Sequence, residues 1–305
     1  MIEVTKEKYN NERGNILKIQ FEQQLALSLL WFSGWTIVAI LVFIIGYIVI
    51  NGLPGLLSLS YLFTPPEGGR YDTGGILYQI IATIYLIFGA IAVAGPVGVF
   101  AAIYLTEYAP QNFITKLIRF AIENLAGIPS IIYGLFGLAF FVIFLKFQYS
   151  LLAGAITVAI MVLPVIIRTS EEALKSVPQS MRQSSLALGV DKWQTISNVV
   201  LPSAFPGILT GILLSVGRVV GESAVLILAA GGSITALPRL LSGEYPYFLP
   251  DSARTLAVHL YYQATGYDSR SKAFATGVVL IFIVFVLNLC INNISTRYKK
   301  KTGTA

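Results

Sequence analysis

Long apolar stretches separated by short polar segments dominate this chain of 305 residues. Six stretches are nearly free of charge and long enough to cross a hydrocarbon layer of about 30 Å as an α-helix. They lie at residues 27–50, 76–105, 126–145, 151–167, 203–230 and 273–293. The pattern therefore predicts an all-α integral membrane protein with six transmembrane helices.

The polar segments divide the chain around these spans. Residues 1–26 are polar but carry one apolar helical face, which is typical of a helix that lies along the membrane interface before it turns inward. Residues 27–75 hold the first span and an external loop, and residues 76–293 hold the other five spans with the polar loop 168–202. Residues 294–305 form a basic tail. We expect one membrane domain and no sizeable soluble domain.

Composition and charge support this class and fix an orientation. Apolar residues make up 55% of the chain and charged residues only 12%, well below the quarter that is usual in soluble proteins. Lys and Arg are concentrated near both termini and in segments 106–125 and 168–202. The positive-inside rule then places both termini and the 168–202 loop in the cytoplasm. The net charge of +6 thus indicates topology and contact with lipid, and we expect no nucleic-acid partner.

Segments 51–75 and 231–272 are predicted to lie outside the membrane on the opposite side. Both are rich in proline, glycine and tyrosine, which is typical of irregular loops. Such aromatic residues either form the belt at the membrane interface or provide a binding face for an external partner, and the sequence leaves both interpretations open. The tyrosines of the second segment are Tyr245, Tyr247, Tyr261, Tyr262 and Tyr267.

The loop 168–202 is charged, yet its composition favours helices. Charged residues cannot lie in hydrocarbon, so this loop lies in water between two spans. A Pro-x-Ser sequence at Pro178 and a glycine at Gly189 mark the start and the end of a short helix. Leu186, Ala187 and Leu188 are apolar side chains in this water-exposed loop. A helical hairpin that docks on a cytosolic partner is therefore predicted, with these three residues as the apolar anchor.

The strongest chemical signal is charge inside the fifth span, where Arg218 is followed by Glu222 and Ser223. An arginine at this depth costs roughly 3 kcal/mol, and the spacing of four residues predicts that the two charges share a helix face and pair. One interpretation is a structural ion pair between helices. The other is a polar patch in a substrate path, because a guanidinium fork matches phosphate and similar oxyanions.

Signs of enzymatic chemistry are sparse in this sequence. The single histidine, His259, has no neighbouring ligand type at metal spacing and is interpreted as an interfacial or loop residue. Cys290 is the only cysteine, and no Walker-type phosphate loop occurs. We therefore expect no catalytic residues, no metal and no cofactor, and any ATP-driven step requires a separate ATPase chain.

The residues around the hairpin resemble the EAA loop of ABC importer permeases, the binding-protein-dependent permease superfamily. Gly189 and the pair Leu201-Pro202 have the spacing of that loop. Gln183, Ser184 and Ser185 stand where that loop usually has Glu-Ala-Ala. Segments 101–110, 124–134, 163–173 and 217–223 further resemble the phosphate-specific permeases of the A type (PstA).

This resemblance implies the MetI-like permease fold and the role of a membrane subunit in an ATP-driven phosphate importer. It implies a heterodimer with a C-type phosphate permease, two ATPase subunits and an external phosphate-binding protein. It also implies that residues 183–189 and Leu201-Pro202 form the loop that couples to the ATPase. In that framework Arg218, Glu222 and Ser223 line the path, with Glu222 partly neutralising Arg218.

Other functions remain compatible with parts of this pattern. A permease for sulfate or molybdate would share the fold and the loop. A channel or an ion-coupled secondary transporter is a different class and would not need a docking loop. An intramembrane enzyme is disfavoured because no pair of catalytic residues occurs at matching depth.

Overall fold

A computed structural model describes residues 2–56, 60–66, 74–233, 252–266 and 270–302, and these residues are almost entirely helical. They form two compact units, Met1–Asn51 and Gly52–Ala305. The helices are, in chain order, α1 (Ile2–Leu56), α2 (Ser60–Phe63), α3 (Leu77–Ile103), α4 (Phe113–Ala126), α5 (Ser130–Gly137), α6 (Leu151–Lys175), α7 (Gln179–Ala187), α8 (Lys192–Thr195), α9 (Leu201–Val220), α10 (Ala224–Ala229), α11 (Leu256–Thr265) and α12 (Arg270–Thr302).

Three π-helical turns extend this set of helices. Tyr104–Tyr108 continues α3, Leu138–Phe144 continues α5, and Ile196–Val200 joins α8 to α9. The chain from Lys192 to Val220 is therefore a single helical segment of 29 residues. Helix starts follow local chemistry, because the side chains of Asn112 and Ser150 accept hydrogen bonds from backbone N–H groups at the start of α4 and α6.

The prediction of a helical membrane protein is confirmed, with corrections to individual spans. Within the described residues, five helices are long and apolar enough to cross a membrane, and one bent pair makes a sixth if it counts as one span. The bent pair is α4 with α5 and its π-helical turn, which meet at 99°. The third predicted span, 126–145, is therefore not one straight helix, because α4 ends at Ala126 and α5 begins at Ser130. Gly127 and Pro129 lie at the bend, where the ring of Pro129 prevents the helix from continuing.

The first helix differs from its prediction in one respect. The sequence predicted an interfacial segment that turns into the membrane at residue 27. Instead, α1 includes that segment and the first span in one helix of 55 residues. Its candidate span, Glu22–Leu56, contains the predicted stretch 27–50.

Helix α6 is the centre of the second unit. In its most apolar window 67% of the residues are buried, and it packs against α3, α5 and α9. Small residues allow the helices to approach closely. A Cβ added to Gly207 of α9 would lie 2.6 Å from the Cβ of Ala173 on α6, and one added to Gly98 of α3 would lie 2.6 Å from Ile166. Close backbone packing of this kind stabilises helices in membranes, where the hydrophobic effect contributes little.

The fifth predicted span, 203–230, is not one helix. Helix α9 ends at Val220, residues 221–223 are non-helical, and α10 then covers Ala224–Ala229. Hydropathy could not show this break because apolar residues continue on both sides of it. The amide of Ser150, just before α6, donates to the carbonyl of Ala229 at 3.4 Å. Helix α10 therefore ends beside the start of α6.

The predicted external segments are only partly irregular. The first contains the short helix α2 and an antiparallel bridge between Pro66 and Gly74. The second contains α11, where Tyr261 is exposed and Tyr262 stacks under the guanidinium of Arg254 at 4.7 Å. The other three tyrosines singled out above lie outside the described residues.

His259 was interpreted as an interfacial or loop residue, and this was wrong. It lies on α11 and is only 4% exposed. Burial, together with the nearby charges of Arg254 and Lys272, lowers the pKa of its imidazole to about 4. His259 is therefore a neutral, buried side chain at neutral pH.

Candidate substrate path and coupling site

Arg218 lies two residues before the end of α9. Helices α6 and α9 run antiparallel, because Gly207 lies against Ala173 and Gly211 lies against Thr169. At the other end of α6, Gly154 lies against Ala230. Along the bundle, Arg218 lies between the Gly211–Thr169 contact and the Gly154–Ala230 contact. It is therefore level with the middle of α6. The sequence prediction of an arginine at mid-span depth therefore agrees with the helix packing.

The side of α9 that carries Arg218 is not covered by the rest of the second unit. Leu214, Gly217, Arg218 and Gly221 follow the spacing of one helical face. Leu214 is 58% exposed, both glycines are exposed, and Arg218 is half-buried. A Cβ added to Gly217 would meet nothing within 4 Å. The backbone of this face is therefore open to a ligand or to another helix.

The guanidinium of Arg218 keeps its hydrogen-bonding capacity. Within the part of the chain that the structure describes, it makes no hydrogen bond or ion pair, although its charge acts electrostatically on Tyr133 of α5. The Tyr133 hydroxyl is already engaged, since it donates to the carbonyl of Leu125 at 2.8 Å. The five guanidinium N–H donors of this fixed fork therefore have no acceptor among the described residues.

Glu222 does not pair with Arg218, which corrects the predicted ion pair. The helix ends between the two residues, so the spacing of four no longer places them on one helical face. Glu222 is 8% exposed, and its Oε1 accepts a hydrogen bond from the backbone N–H of Val225 at 3.2 Å. Ser223 is the half-buried residue before α10 and makes no side-chain cap. Glu222 thus stabilises the break in the chain instead of neutralising the arginine.

The predicted helical hairpin is present and its turn has the expected chemistry. Helix α7 ends at Ala187, and Gly189 follows with φ +83°, a left-handed conformation that favours glycine. Leu186 is 48% exposed and Leu188 is 83% exposed. The structure thus places the predicted apolar anchor at the surface of the hairpin tip, which consists of residues 183–190.

The other predicted residues of the coupling loop have different environments. Gln183 and Ser184 are exposed, as is Ala187. Ser185 is instead buried, and its hydroxyl lies 2.9 Å from that of Thr195 on α8. This contact holds the two arms of the hairpin together. Leu201 and Pro202 are half-buried in the first turn of α9, away from the exposed tip.

Arg182 is a central residue of this region that sequence reasoning missed. Its Nη2 lies 3.0 Å from Oε1 of Glu107 and also donates to the carbonyl of Leu174 at 2.7 Å. Its Nη1 donates to the carbonyl of Val177 at 2.5 Å. One guanidinium therefore joins the docking helix α7 to the π-helical end of α3 and to the end of α6. Because Glu107 lies 75 residues earlier in the chain, no local pattern reveals this pair.

Three more cations surround the same end of the bundle. Arg119 on α4 donates to the carbonyl of Leu105 at 2.7 Å and pairs with Glu171 at 2.8 Å. Lys175 pairs with the same Glu171 oxygen at 2.8 Å. Lys192 donates to the carbonyl of Glu107 and lies 4.7 Å over the ring of Tyr108. The ends of α3, α4 and α6 are thus tied together beneath the hairpin.

Comparison with known proteins gives this geometry a context. Residues 94–303 match the family described as binding-protein-dependent transport system inner membrane component. The probable ABC transporter permease protein YqgI of Bacillus subtilis is 38% identical over 92% of this chain and 97% of its own length. The phosphate transport system permease protein PstA of Pasteurella multocida is 33% identical over 79% of this chain and 83% of its own length.

A solved structure of the MetNI methionine ABC transporter in an inward-facing conformation shares the fold. Its TM-score is 0.53 at 20% identity, over 73% of this chain and 94% of that chain. At this identity the likeness concerns the fold alone, which agrees with the helix order described above. The chain is a multi-pass membrane protein and belongs to the family of binding-protein-dependent transport system inner membrane components.

Proposed function

We propose that this chain is the A-type permease subunit of an ATP-driven phosphate importer and that Arg218 contacts the anion during transit. The observation that carries the proposal is a guanidinium without an acceptor in the described part of the chain, on an open helix face next to a mid-span break. Transporters use such breaks near their substrate sites. Phosphate is the substrate named for the relative from Pasteurella multocida, and a guanidinium fork suits it.

The open face of α9 also supports a partner permease. Leu214, Gly217 and Gly221 leave a surface on which a second helix could pack closely. A C-type permease placed there would complete the path, with Arg218 between the two chains. An external phosphate-binding protein would deliver the anion to segments 51–75 and 231–272.

Coupling to a pair of ATPase subunits would use the hairpin tip. Leu186 and Leu188 would insert into a groove of the ATPase, because buried apolar anchors provide most of the binding energy at interfaces. Movement of the tip would reach the spans by two routes. One is the Arg182–Glu107 contact to α3, and the other is the continuous helical segment from Lys192 to Val220.

Replacement of Arg218 tests the proposal. We expect Arg218→Gln to lower phosphate uptake by about 100-fold or more in the assembled transporter, since a buried charge-assisted contact to the anion is lost. Arg218→Lys should restore only a small fraction, because an ammonium lacks the fork. Uptake of labelled phosphate into proteoliposomes gives the rate, and copurified ATPase subunits report assembly.

Arg168→Gln is the matched control for this experiment. Arg168 is also an arginine next to a glutamate four residues away, but its side chain is 58% exposed. We expect uptake to stay within about twofold of wild type in this variant. Normal uptake by Arg218→Gln would refute the assignment of Arg218, and stronger inhibition of uptake by sulfate than by unlabelled phosphate would refute phosphate as the substrate.

A further inference from the structure

A cavity of about 510 Å³ opens at the hairpin end of the bundle, well away from Arg218. Its wall combines the π-helical end of α3, helix α4, the end of α6 and the docking helix α7. The lining residues are Thr106, Glu107, Gln111, Arg119, Lys175, Gln179, Arg182, Gln183, Leu186, Lys192, Thr195, Ile196 and Val200. The cavity therefore lies where the docking helix meets the spans.

The charge of this lining favours an anion. Four cationic side chains and one carboxylate line the cavity. A second carboxylate, Glu171, pairs with Arg119 and Lys175 from behind the wall. After both carboxylates are counted, two positive charges remain in excess. A cationic ligand is therefore disfavoured, whereas an anion would gain energy in this partly desolvated site.

Two buried polar atoms of these lining residues have no hydrogen-bond partner among the described residues. They are Nε of Arg119 and Oγ1 of Thr106. A buried donor without an acceptor normally costs free energy, so such groups call for a ligand or for water. The amides of Gln111, Gln179 and Gln183 add further donors around the same space. By contrast, Arg182 makes four hydrogen bonds to the protein and serves as part of the wall.

We propose that this cavity binds a phosphate group, through Arg119 and Thr106. Several acceptor oxygens on one small anion match a wall that is rich in donors and has excess positive charge. The phosphate group comes either from free inorganic phosphate or from the headgroup of an anionic lipid, and both sources present the same chemistry. The site is separate from the path at Arg218 and does not depend on the substrate proposed for it.

Occupation of the cavity would connect elements that move during coupling. A bound anion would bridge α4 and the end of α3 to the docking helix α7. It would thereby hold the hairpin against the spans and slow the transport cycle. If the proposed function is correct, this is a way for phosphate on the hairpin side to restrain further import. That regulatory consequence rests on the proposed function, whereas the binding site itself does not.

Protection of a single cysteine tests the binding site directly. Gln111→Cys in a Cys290→Ala background places a thiol at the cavity rim of the full-length chain. We expect inorganic phosphate to slow its reaction with a maleimide when the chain is in phosphatidylcholine vesicles. If a lipid headgroup is the source, replacing part of the phosphatidylcholine with phosphatidylglycerol slows the reaction and added inorganic phosphate has no further effect. Unchanged rates in both arms would overturn the proposal.

Three substitutions assign the effect to the cavity. Arg119→Gln should raise the phosphate concentration that half-protects the thiol by about tenfold or more, because a charged hydrogen bond is lost. Thr106→Val should raise that concentration by about threefold while the thermal unfolding midpoint stays unchanged, since Oγ1 has no protein partner to lose. The control is Lys116→Gln, an exposed cation one turn earlier on α4, with less than about twofold effect. Arg218→Gln should leave protection unchanged.

Thr106→Val keeps the test decisive if Arg119→Gln fails to fold, because Arg119 also holds Leu105 and Glu171. Protection that persists at full strength in Thr106→Val and Arg119→Gln would show that the thiol reports another site, and the proposal would be rejected. A failure of this kind would leave uptake through Arg218 untouched. The two proposals can thus fail separately.

Discussion

Arg182 and Arg218 lie in two regions of the molecule, and the hydrogen bonding of their guanidinium groups differs between them. At the hairpin end, Arg182 is 12% exposed and its guanidinium is engaged by Glu107 and by two backbone carbonyls. At the break after α9, Arg218 is half-buried and has no such partner among the described residues. A guanidinium bonded to several helices fixes their positions, whereas one without such bonds is available to a ligand. Burial of charge alone does not distinguish these roles, but the count of hydrogen bonds does.

The largest expected difference concerns stability. Arg182→Gln leaves the carboxylate of Glu107 buried and uncompensated, which should cost about 3–5 kcal/mol. Arg218→Gln removes no hydrogen bond or ion pair to a described residue and should leave stability unchanged, although we expect it to lower uptake. Thermal unfolding of the full chain in detergent, monitored by circular dichroism, measures both variants.

The double variant Arg182→Gln with Glu107→Gln adds a control to this comparison. It removes both charges, so it should recover much of the lost stability without restoring the fixed geometry of the hairpin. A drop in the unfolding midpoint for Arg218→Gln as large as that for Arg182→Gln would erase the distinction between the two regions.

A smaller effect is expected at the turn of the hairpin. Gly189 has φ +83°, and a Cβ added there would meet nothing within 4 Å, so only backbone strain opposes substitution. We expect Gly189→Ala to destabilise the turn by about 1–2 kcal/mol and Gly189→Asn by less, because asparagine tolerates the left-handed conformation. Hydrogen exchange of the amides in segment 183–190 would report the local opening. Equal exchange in both variants would contradict the role of backbone strain.

The smallest expected effect distinguishes two roles of Glu222, a cap at the chain break and an ion-pair partner of Arg218. If it caps the break, Glu222→Gln keeps an oxygen that can accept from Val225 N–H, and stability should change by less than about 0.5 kcal/mol. Glu222→Ala removes that acceptor and should cost about 1 kcal/mol. If Glu222 instead neutralises Arg218, Glu222→Gln should lower stability as much as Glu222→Ala does. The unfolding midpoints of these two variants therefore discriminate between the cap and the ion pair.

The sequence allowed some of these features to be predicted and concealed others for identifiable reasons. Hydropathy located the spans because each is a local property of a continuous stretch. The left-handed turn at Gly189 was also predictable, since glycine is the residue that such a turn favours. The break at 221–223 was hidden, because α10 continues the apolar stretch of α9. The Arg182–Glu107 pair was hidden as well, because it joins positions far apart in the chain.

The unbroken helical segment from Lys192 to Val220 has a mechanical consequence. Its 29 residues form a rod of about 43 Å that begins in the hairpin and ends two residues after Arg218. If such a rod pivots at one end by about 10°, the other end is displaced by about 7 Å. A tilt imposed at the hairpin would then become a displacement of the segment that carries Arg218.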